Sequence, residues 1–246
     1  AVARLASSGS RGLCTMAAAS RQPQELAAAE ATFSAMEAHV LDEYHDFVDN
    51  YEETLRSYGY VSDREGPAMV LEALLARQGQ GDAEQGPWRI LDLGCGTGNT
   101  SVPYFEKPGR FAVVGVDLTP EMVEKAKERP FERVICQNIE KELQVDDGSF
   151  DAVQFIGVCE FLTSPLETFA TARRKLRKDG LLLLTSPRKI LEKLEKKYNI
   201  KTWQGGELEA MVSKVGFKQV TSRSFPAYNL GDVQVQYECS LWQKTE

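Results

Sequence analysis

The feature that most constrains the fold is a predicted β-strand that runs directly into three glycines at alternate positions. Strand and turn together read Ile90-Leu91-Asp92-Leu93-Gly94-Cys95-Gly96-Thr97-Gly98-Asn99. Glycine permits positive φ angles and a close approach of the backbone to a ligand, so the turn predicts a ligand lying across a strand end. A second predicted strand ends at Asp117, 19 residues after Gly98. That is the place of the carboxylate that accepts hydrogen bonds from a nucleotide ribose.

Strand and helix patterns alternate after residue 86, which favours parallel strands joined by right-handed crossovers. Apolar or β-branched runs predict the strands, and helical stretches lie between most of them. These runs are Arg89–Leu93, Phe111–Val116, Arg133–Cys136, Phe150–Ile156 and Leu181–Thr185. Two closing strands, about Phe217–Phe225 and Val233–Gln243, are predicted to pair as an antiparallel hairpin at the edge of the sheet.

Turn and capping residues predict several helix boundaries. Thr119 is predicted to cap a helix whose first residue is Pro120. The sequence Ser164-Pro165-Leu166-Glu167 predicts a capping box for a helix that ends near Gly180. A last helix is predicted over Gly206–Val215.

Composition excludes several classes of protein. The 246 residues are 42% hydrophobic and 26% charged, which is ordinary for a soluble globular protein. Apolar runs such as residues 181–184 fall far short of the ~18 residues that a membrane span requires. A net charge of −7 argues against a nucleic-acid partner. The five cysteines show no CxxC spacing, so we expect reduced thiols.

The chain divides into three predicted parts. Residues 1–24 contain Arg4, Arg11 and Arg21 but no acid, which is typical of an organelle transit segment or of an unstructured leader. Met16, followed by three alanines, is also compatible with a translation start. Residues 25–85 are predicted helices that cover the site, and residues 86–246 are the predicted core. We expect a soluble intracellular protein, in a mitochondrion or plastid if the leader is a transit segment and in the cytoplasm otherwise.

The glycine turn resembles motif I of the class I S-adenosylmethionine-dependent methyltransferases. That motif is usually D/E-x-G-x-G-x-G, and residues 92–98 match it completely. Residues 113–122 resemble the second motif, Gln137-Asn138-Ile139-Glu140 stands where the family commonly has Asp-Ala-Glu, and Asp147-Gly148-Ser149-Phe150-Asp151 resembles the turn before the fourth strand. Residues 44–52, together with residues 58–60, are similar to the small Williams-Beuren-region methyltransferase-like proteins.

The resemblance implies a fold, a cofactor and a set of binding residues. The fold is α/β, a doubly wound Rossmann-like sheet of seven strands in the order 3-2-1-4-5-7-6, with strand 7 antiparallel and N-terminal cover helices. The cofactor is S-adenosyl-L-methionine, which becomes S-adenosyl-L-homocysteine, and no metal is expected. The implied cofactor contacts are Asp92, Gly94, Cys95, Gly96, Gly98, Asp117, Leu118, Met122, Asn138, Ile139 and Tyr44. Asp92 is implied to orient the ammonium group of the cofactor, directly or through water. A second role for Asp117, capping the next helix, is better filled by Thr119.

Two residues are candidates for catalysis or contact with the methyl acceptor. Glu160 follows the fourth predicted strand, at the edge where doubly wound sheets bind ligands. We expect it to bind a cationic or amine group or to accept a proton from it, and the alternative is a solvated carboxylate at a helix start. Tyr51, like Tyr44, is predicted to close over the sulfonium with its ring face, or else to dock a helix onto the core.

The implied reaction is methyl transfer to an oxygen, nitrogen or sulfur nucleophile of a small molecule. Positioning supplies much of the rate of such a displacement, which agrees with a sequence that shows neither a catalytic triad nor zinc-ligand spacing. A protein methyltransferase and a non-catalytic scaffold that binds S-adenosylmethionine are the alternatives. Neither the acceptor nor the oligomeric state can be predicted from this sequence.

Overall fold

A computed structural model describes residues 35–42, 44, 48–57, 59–77, 86–230 and 232–246. The predicted leader, residues 1–24, lies outside the described residues. The helices of the described part are α1 (residues 35–42), α2 (Tyr51–Ser57), α3 (Ser62–Arg77), α4 (Val102–Phe105), α5 (Pro120–Ala126), α6 (Pro165–Lys175), α7 (Glu192–Tyr198) and α8 (Glu207–Lys214). Short 3-10 turns cover Val48–Asn50, Asn99–Ser101 and Cys159–Phe161. No helix in this described part of the chain is long and apolar enough to cross a membrane.

Seven strands form one sheet, in the order β3-β2-β1-β4-β5-β7-β6. They are β1 (Trp88–Leu93), β2 (Phe111–Asp117), β3 (Arg133–Cys136), β4 (Phe150–Phe155), β5 (Leu176–Pro187), β6 (Phe217–Leu230) and β7 (Val233–Lys244). Strands β1 to β5 run parallel, and β7 is antiparallel to both β5 and β6. The predicted fold class, strand order and closing hairpin are confirmed.

The core lies on both faces of the sheet because alternate side chains of a strand point to opposite faces. Leu91 of β1 packs in one cluster with Phe169 and Leu208. Its neighbour Ile90 packs in a second cluster with Met69. Strand β4 is buried along its whole length, as expected for a strand covered by helices on both faces.

Helix α3 packs directly on the sheet. A Cβ atom on Gly66 would lie 3.1 Å from Ile156 Cδ1 and 3.2 Å from Leu183 Cδ2, so a glycine here brings the helix close to the strands. Met69 and Leu74 of the same helix are buried in the second core cluster. The division of the chain at residue 86 stays a prediction, and α3 shares its core with the strands that follow it.

Two local predictions are wrong in detail. Helix α6 begins at Pro165 as predicted but ends at Lys175, because Leu176 already pairs with Phe150 as the start of β5. The capping residues also differ, since neither Ser164 nor Thr119 makes a side-chain capping hydrogen bond. Glu140 Oε1 instead accepts the Ser164 N–H at 2.7 Å, which fastens the start of α6 to the loop after β3.

Strand order reverses between β1 and β4, because β2 lies on one side of β1 and β4 lies on the other. In an open α/β sheet, ligands bind in the crevice beyond the carboxyl ends of the strands at such a point. The glycine turn follows β1 directly, so it lies at this crevice.

Candidate functional site

A cavity of about 780 Å³, including the space at its mouth, opens at the carboxyl ends of β1, β2 and β4. Its size is within the range of small-molecule sites. The wall contains Gly94, Gly96, Asp117, Leu118, Thr119, Met122, Asn138, Ile139, Glu140, Ile156, Gly157, Val158, Phe161 and Leu162. Residues before the sheet complete it: Met36, Glu37, Val40, Tyr44 and Tyr51. A smaller pocket shares Tyr51, Gly94, Gly96 and Ile156 with the main cavity, so the two adjoin across the glycine turn.

Two of the three motif glycines line the main cavity. A Cβ on Gly96 would meet Tyr51 Cε1 at 3.8 Å, an ordinary contact distance. Gly94 has φ +77°, and a Cβ there would lie only 2.3 Å from Val158 Cγ2. Glycine is therefore required at position 94 both by the backbone angle and by the close approach of the turn after β4.

Gly98 and Cys95 are placed differently from the other implied contacts. A Cβ on Gly98 would lie 2.6 Å from Phe131 Cε2, so this glycine makes room for packing behind the turn, and it lines neither pocket. Cys95 lines the smaller pocket, where burial raises the pKa of its thiol well above the ordinary value. The resemblance implies that Gly98 and Cys95 both contact the cofactor. Of the two, only Cys95 lies on a pocket wall.

Asp92 lies beneath the glycine turn and outside both pockets. Its Oδ2 accepts hydrogen bonds from Thr100 Oγ1 and Ser101 Oγ, each at 2.7 Å. Burial raises the pKa of this carboxyl group, and the two hydroxyls oppose that shift. Asp92 therefore holds the segment after the glycines, and its implied role of orienting the ammonium group, directly or through water, stays a prediction.

Asp117 lies on the cavity wall, as the prediction requires. Its Oδ2 accepts the Gly96 N–H at 2.8 Å, and its Oδ1 accepts the Thr119 N–H at 2.9 Å. These bonds link the second strand to the glycine turn and to the start of α5. The N–H that Asp117 accepts here belongs to Thr119, the residue before α5, and the cap predicted for the Thr119 side chain is not formed. Burial raises the pKa of Asp117, and both backbone bonds oppose the shift.

The far end of the cavity is apolar apart from one amide. Leu118, Met122 and Ile139 lie there with Asn138. The Asn138 Oδ1 accepts the Glu140 N–H at 2.9 Å. Because an amide oxygen has two lone pairs, it can still accept a hydrogen bond from a ligand. An apolar slot with one polar edge suits a flat heterocycle.

A cover of aromatic rings closes the opposite side. Tyr44 stands edge-on to Tyr51 at 6.0 Å and to Phe161 at 6.1 Å between ring centroids. Both tyrosines have raised pKa values, chiefly because they are buried. Neutral ring faces turned to a cavity can attract a cation.

The cover helix α2 is tied to the glycine turn by one carboxylate. Glu52 Oε1 accepts hydrogen bonds from Thr97 Oγ1 at 2.8 Å and from Arg129 Nη2 at 2.5 Å. Arg129 Nε donates in turn to the Thr97 carbonyl oxygen at 2.8 Å. These three bonds hold Tyr51, the first residue of α2, over Gly96.

Glu160 lies beside the cavity wall and is only 2% exposed, which excludes the interpretation as a solvated carboxylate. The Tyr237 hydroxyl donates to its Oε1, while its Oε2 has no hydrogen-bond partner among the described residues. Burial raises the pKa of Glu160 to about 7, and the hydroxyls of Tyr237 and Tyr228 oppose that shift. A carboxyl group with such a pKa can exchange a proton near neutral pH.

A family model described as a methyltransferase domain matches residues 91–184, from β1 to the middle of β5. Residues 91–184 of the chain are therefore similar to a methyltransferase domain. The matched residues contain β2, β3 and β4, parts of β1 and β5, and most of the cavity wall.

Similar proteins have diverse acceptors. The chain is 36% identical over 98 residues to the malonyl-[acyl-carrier protein] O-methyltransferase of Geobacter sulfurreducens, covering 39% of this chain and 37% of that protein. It is 29% identical over 106 residues to a ubiquinone/menaquinone biosynthesis C-methyltransferase of Citrifermentans bemidjiense, covering 40% and 45%. The matches span about a third to under half of the first curated relatives.

The fold extends over more of the chain than these sequence matches. A crystal structure of 1,6-didemethyltoxoflavin-N1-methyltransferase from Burkholderia thailandensis, with bound 1,6-didemethyltoxoflavin and S-adenosylhomocysteine, superposes with a TM-score of 0.64. It covers 94% of each chain at 20% identity, which shows a shared fold.

Sequence reasoning missed one acidic residue of the site. Asp63 of α3 lines the smaller pocket and is 8% exposed. Its Oδ2 accepts a hydrogen bond from Asn99 Nδ2 at 2.7 Å, and its Oδ1 has no hydrogen-bond partner among the described residues. Burial raises the pKa of Asp63. In the sequence it is one acid among several on a helical stretch, so no local signal distinguishes it.

Proposed function

We propose that this protein is a methyltransferase that transfers the methyl group of S-adenosyl-L-methionine to a nucleophilic atom of a small molecule. The observation that carries the proposal is the cavity at the strand-order reversal, with the glycine turn at one end and Asp117 on its wall. When bound, the cofactor supplies an activated methyl group on a sulfonium sulfur. The chain has to hold that group in line with the acceptor and exclude water.

Each end of the cavity suits one part of the cofactor. Asp117 would accept hydrogen bonds from the ribose hydroxyls. The apolar slot beside Asn138 would take the adenine ring. Because Asp63 has an unpartnered oxygen in the pocket beyond Gly96, we propose that Asp63, rather than Asp92, receives the ammonium group. The faces of Tyr44 and Tyr51 would lie near the sulfonium.

The cover favours a small acceptor over a protein. Tyr44, Tyr51 and residues of α1 line the side of the cavity opposite the sheet, which makes it a covered pocket with a mouth instead of a long groove for a polypeptide. No group of three or more His, Cys, Asp or Glu residues within the described ranges is placed to hold a metal ion.

We also propose that the chain divides into a cover, residues 25–85, and a core, residues 86–246, and that it is similar to the Williams-Beuren-region proteins. The role of residues 1–24 as a transit segment stays a prediction.

The function is tested by incubating the purified full chain with methyl-labelled S-adenosylmethionine and an extract of its source, separated by size. We expect label in small molecules, and its loss with Asp117→Ala. The matched control is Asp146→Ala, which removes an exposed aspartate in the turn before β4. Label in protein would support the alternative of a protein methyltransferase. Cofactor binding without any labelled product would support the non-catalytic scaffold.

Replacing Asp63 with asparagine tests the proposed ammonium contact. We expect S-adenosylhomocysteine to bind about tenfold more weakly, because a charge-assisted hydrogen bond is worth roughly 1.5 kcal/mol or more. Binding of 5′-methylthioadenosine, which lacks the amino-acid part, should be unchanged. Calorimetric titration of both ligands measures the difference. An equal loss for both would show that Asp63 only maintains the fold.

A further inference from the structure

Three segments around the cavity meet at one arginine. Arg129 lies in the connection between α5 and β3. Its Nη2 donates to Glu52 of the cover helix α2 at 2.5 Å, and its Nε donates to the Thr97 carbonyl oxygen in the glycine turn at 2.8 Å. The Thr97 hydroxyl donates to the same Glu52 oxygen at 2.8 Å. We call Glu52, Thr97 and Arg129 the cover clasp.

Packing and charge both hold the clasp in place. A Cβ on Gly98 would lie 2.9 Å from Arg129 Cδ, so the arginine stem lies directly against the last glycine of the motif. The side chains of Glu52 and Arg129 are only 23% and 27% exposed. Burial opposes the ionisation of Glu52, but the bonds from Thr97 and Arg129 outweigh it and lower the pKa of the carboxyl group. Glu52 is therefore charged at neutral pH, and its hydrogen bonds are charge-assisted.

Helix α2 depends on such bonds because its own packing is weak. It has seven residues, and none of them is fully buried. Helices shorter than about 12–15 residues are marginal on their own in water. The turn Val48–Asn50 just before α2 also lies against α5. The cover is thus fastened where it meets the glycine turn and the end of α5, more than by a side chain inserted into the core.

The clasp lies outside the space that a ligand would fill. The side chains of Glu52 and Arg129 line neither the main cavity nor the smaller pocket, whereas Tyr51, the neighbour of Glu52, lines both. Any effect of the clasp on a ligand therefore has to pass through Tyr51 and the glycine turn.

We propose that Glu52 and Arg129 are positioning residues: by fastening α2 to the glycine turn, they hold Tyr51 over the bound cofactor and slow its release. The inference rests on the proposed function and concerns how the cofactor is retained. Ordering a segment of chain costs conformational entropy. Because the clasp orders the cover before the ligand arrives, binding does not have to supply that free energy. Without the clasp the cofactor has to order the cover itself, so it binds more weakly and leaves faster.

The dissociation rate of S-adenosylhomocysteine from the full chain tests this role. Glu52→Gln keeps the shape of the side chain and loses its charge, and we expect dissociation to become about tenfold faster, as for the loss of a charge-assisted hydrogen bond. Arg129→Gln should be at least as fast. The double variant should match Arg129→Gln, because both changes remove the same ion pair. The matched control is Arg56→Gln, which removes the exposed partner of Glu52 Oε2 at 3.2 Å and should leave the rate native.

Two further measurements separate positioning from a general loss of structure. Adenosine lacks the sulfur and the amino-acid part, so in the proposed arrangement it uses the slot beside Asn138 and Asp117 without needing the cover. Its affinity should be the same in every variant. Raising the salt concentration to about 1 M, where the Debye length is about 3 Å, should speed release of S-adenosylhomocysteine from the native chain more than from Glu52→Gln.

The outcomes distinguish this inference from the proposed function. Native dissociation rates in Glu52→Gln and Arg129→Gln would overturn the role of the clasp and leave the proposed function standing. An equal loss of affinity for adenosine and S-adenosylhomocysteine would show that the clasp only maintains the fold, which also overturns the inference. Failure of the native chain to bind S-adenosylhomocysteine would contradict the proposed function and this inference with it.

Discussion

Replacing Gly94 with alanine will lower the free energy of unfolding by about 2–5 kcal/mol, more than the same change at Gly109. Both residues have positive φ angles, +77° and +75°, so the backbone strain of an alanine destabilises the folded state by roughly 1–2 kcal/mol at each position. Only at position 94 does the new methyl group meet an obstacle, Val158 Cγ2 at 2.3 Å. At Gly109 nothing lies within 4 Å. Overpacking adds about 1–3 kcal/mol.

Denaturant unfolding of Gly94→Ala, Gly109→Ala and the native chain measures this difference. A second cycle adds Val158→Ala, which removes the methyl groups nearest to the new Cβ. We expect Gly94→Ala to cost less in that background, because the two changes share one contact. If Gly94→Ala and Gly109→Ala were equally destabilising, the turn after β4 would not constrain the first motif glycine. Cofactor affinity should fall with Gly94→Ala and remain native with Gly109→Ala.

Replacing Glu160 with glutamine will make the protein more stable than the native chain above neutral pH. Burial raises the pKa of Glu160 from its ordinary value near 4.5 to about 7 in the folded state. Between these two values the folded chain retains a proton that the unfolded chain has lost. The stability of the native chain therefore falls as the pH rises from about 4.5 to about 7, by about 3 kcal/mol from this group. Glutamine is neutral throughout and can still accept from Tyr237.

The measurement is the free energy of unfolding of both chains from pH 5 to pH 8.5. Near pH 5 the two should be similar, and the advantage of Glu160→Gln should grow until the pH passes about 7. Glu192→Gln, at an exposed position in α7, controls for general effects of removing a carboxylate. Parallel curves for Glu160→Gln and the native chain would mean that Glu160 is ionised in the folded protein at every pH tested.

Much of the fold could be predicted because its signals are local or carried by the resemblance. The runs at residues 89–93 and 111–116 are short and apolar, and each is followed by a residue typical of turns, which marks the end of the strand. The sheet order came from the resemblance to a family, since periodicity alone does not fix which strands are neighbours. The end of α6 was mispredicted because residues 176–180 begin a strand through pairing with Phe150, a tertiary contact that the helix-like sequence does not reveal.

The polar arrangement of the site could be predicted only in part. Asp117 was found because its distance from the glycine turn is characteristic. The bond from Tyr237 to Glu160 joins residues 77 positions apart, so no sequence window contains both. Asp63 looks like an ordinary acid in the first turn of a helix. Its importance appears only when α3 is placed against the glycine turn.

The packing of Phe131 behind Gly98 shows that one residue of the glycine motif serves folding, whereas others line the ligand cavity. Gly98 touches neither pocket, so selection for folding alone would preserve it, even in a descendant that no longer bound a ligand. An unpartnered interior oxygen such as that of Asp63 is a burden to a chain with nothing to bind, and asparagine or leucine would relieve it. In this lineage, loss of activity should therefore become visible at position 63 while Gly98 remains intact.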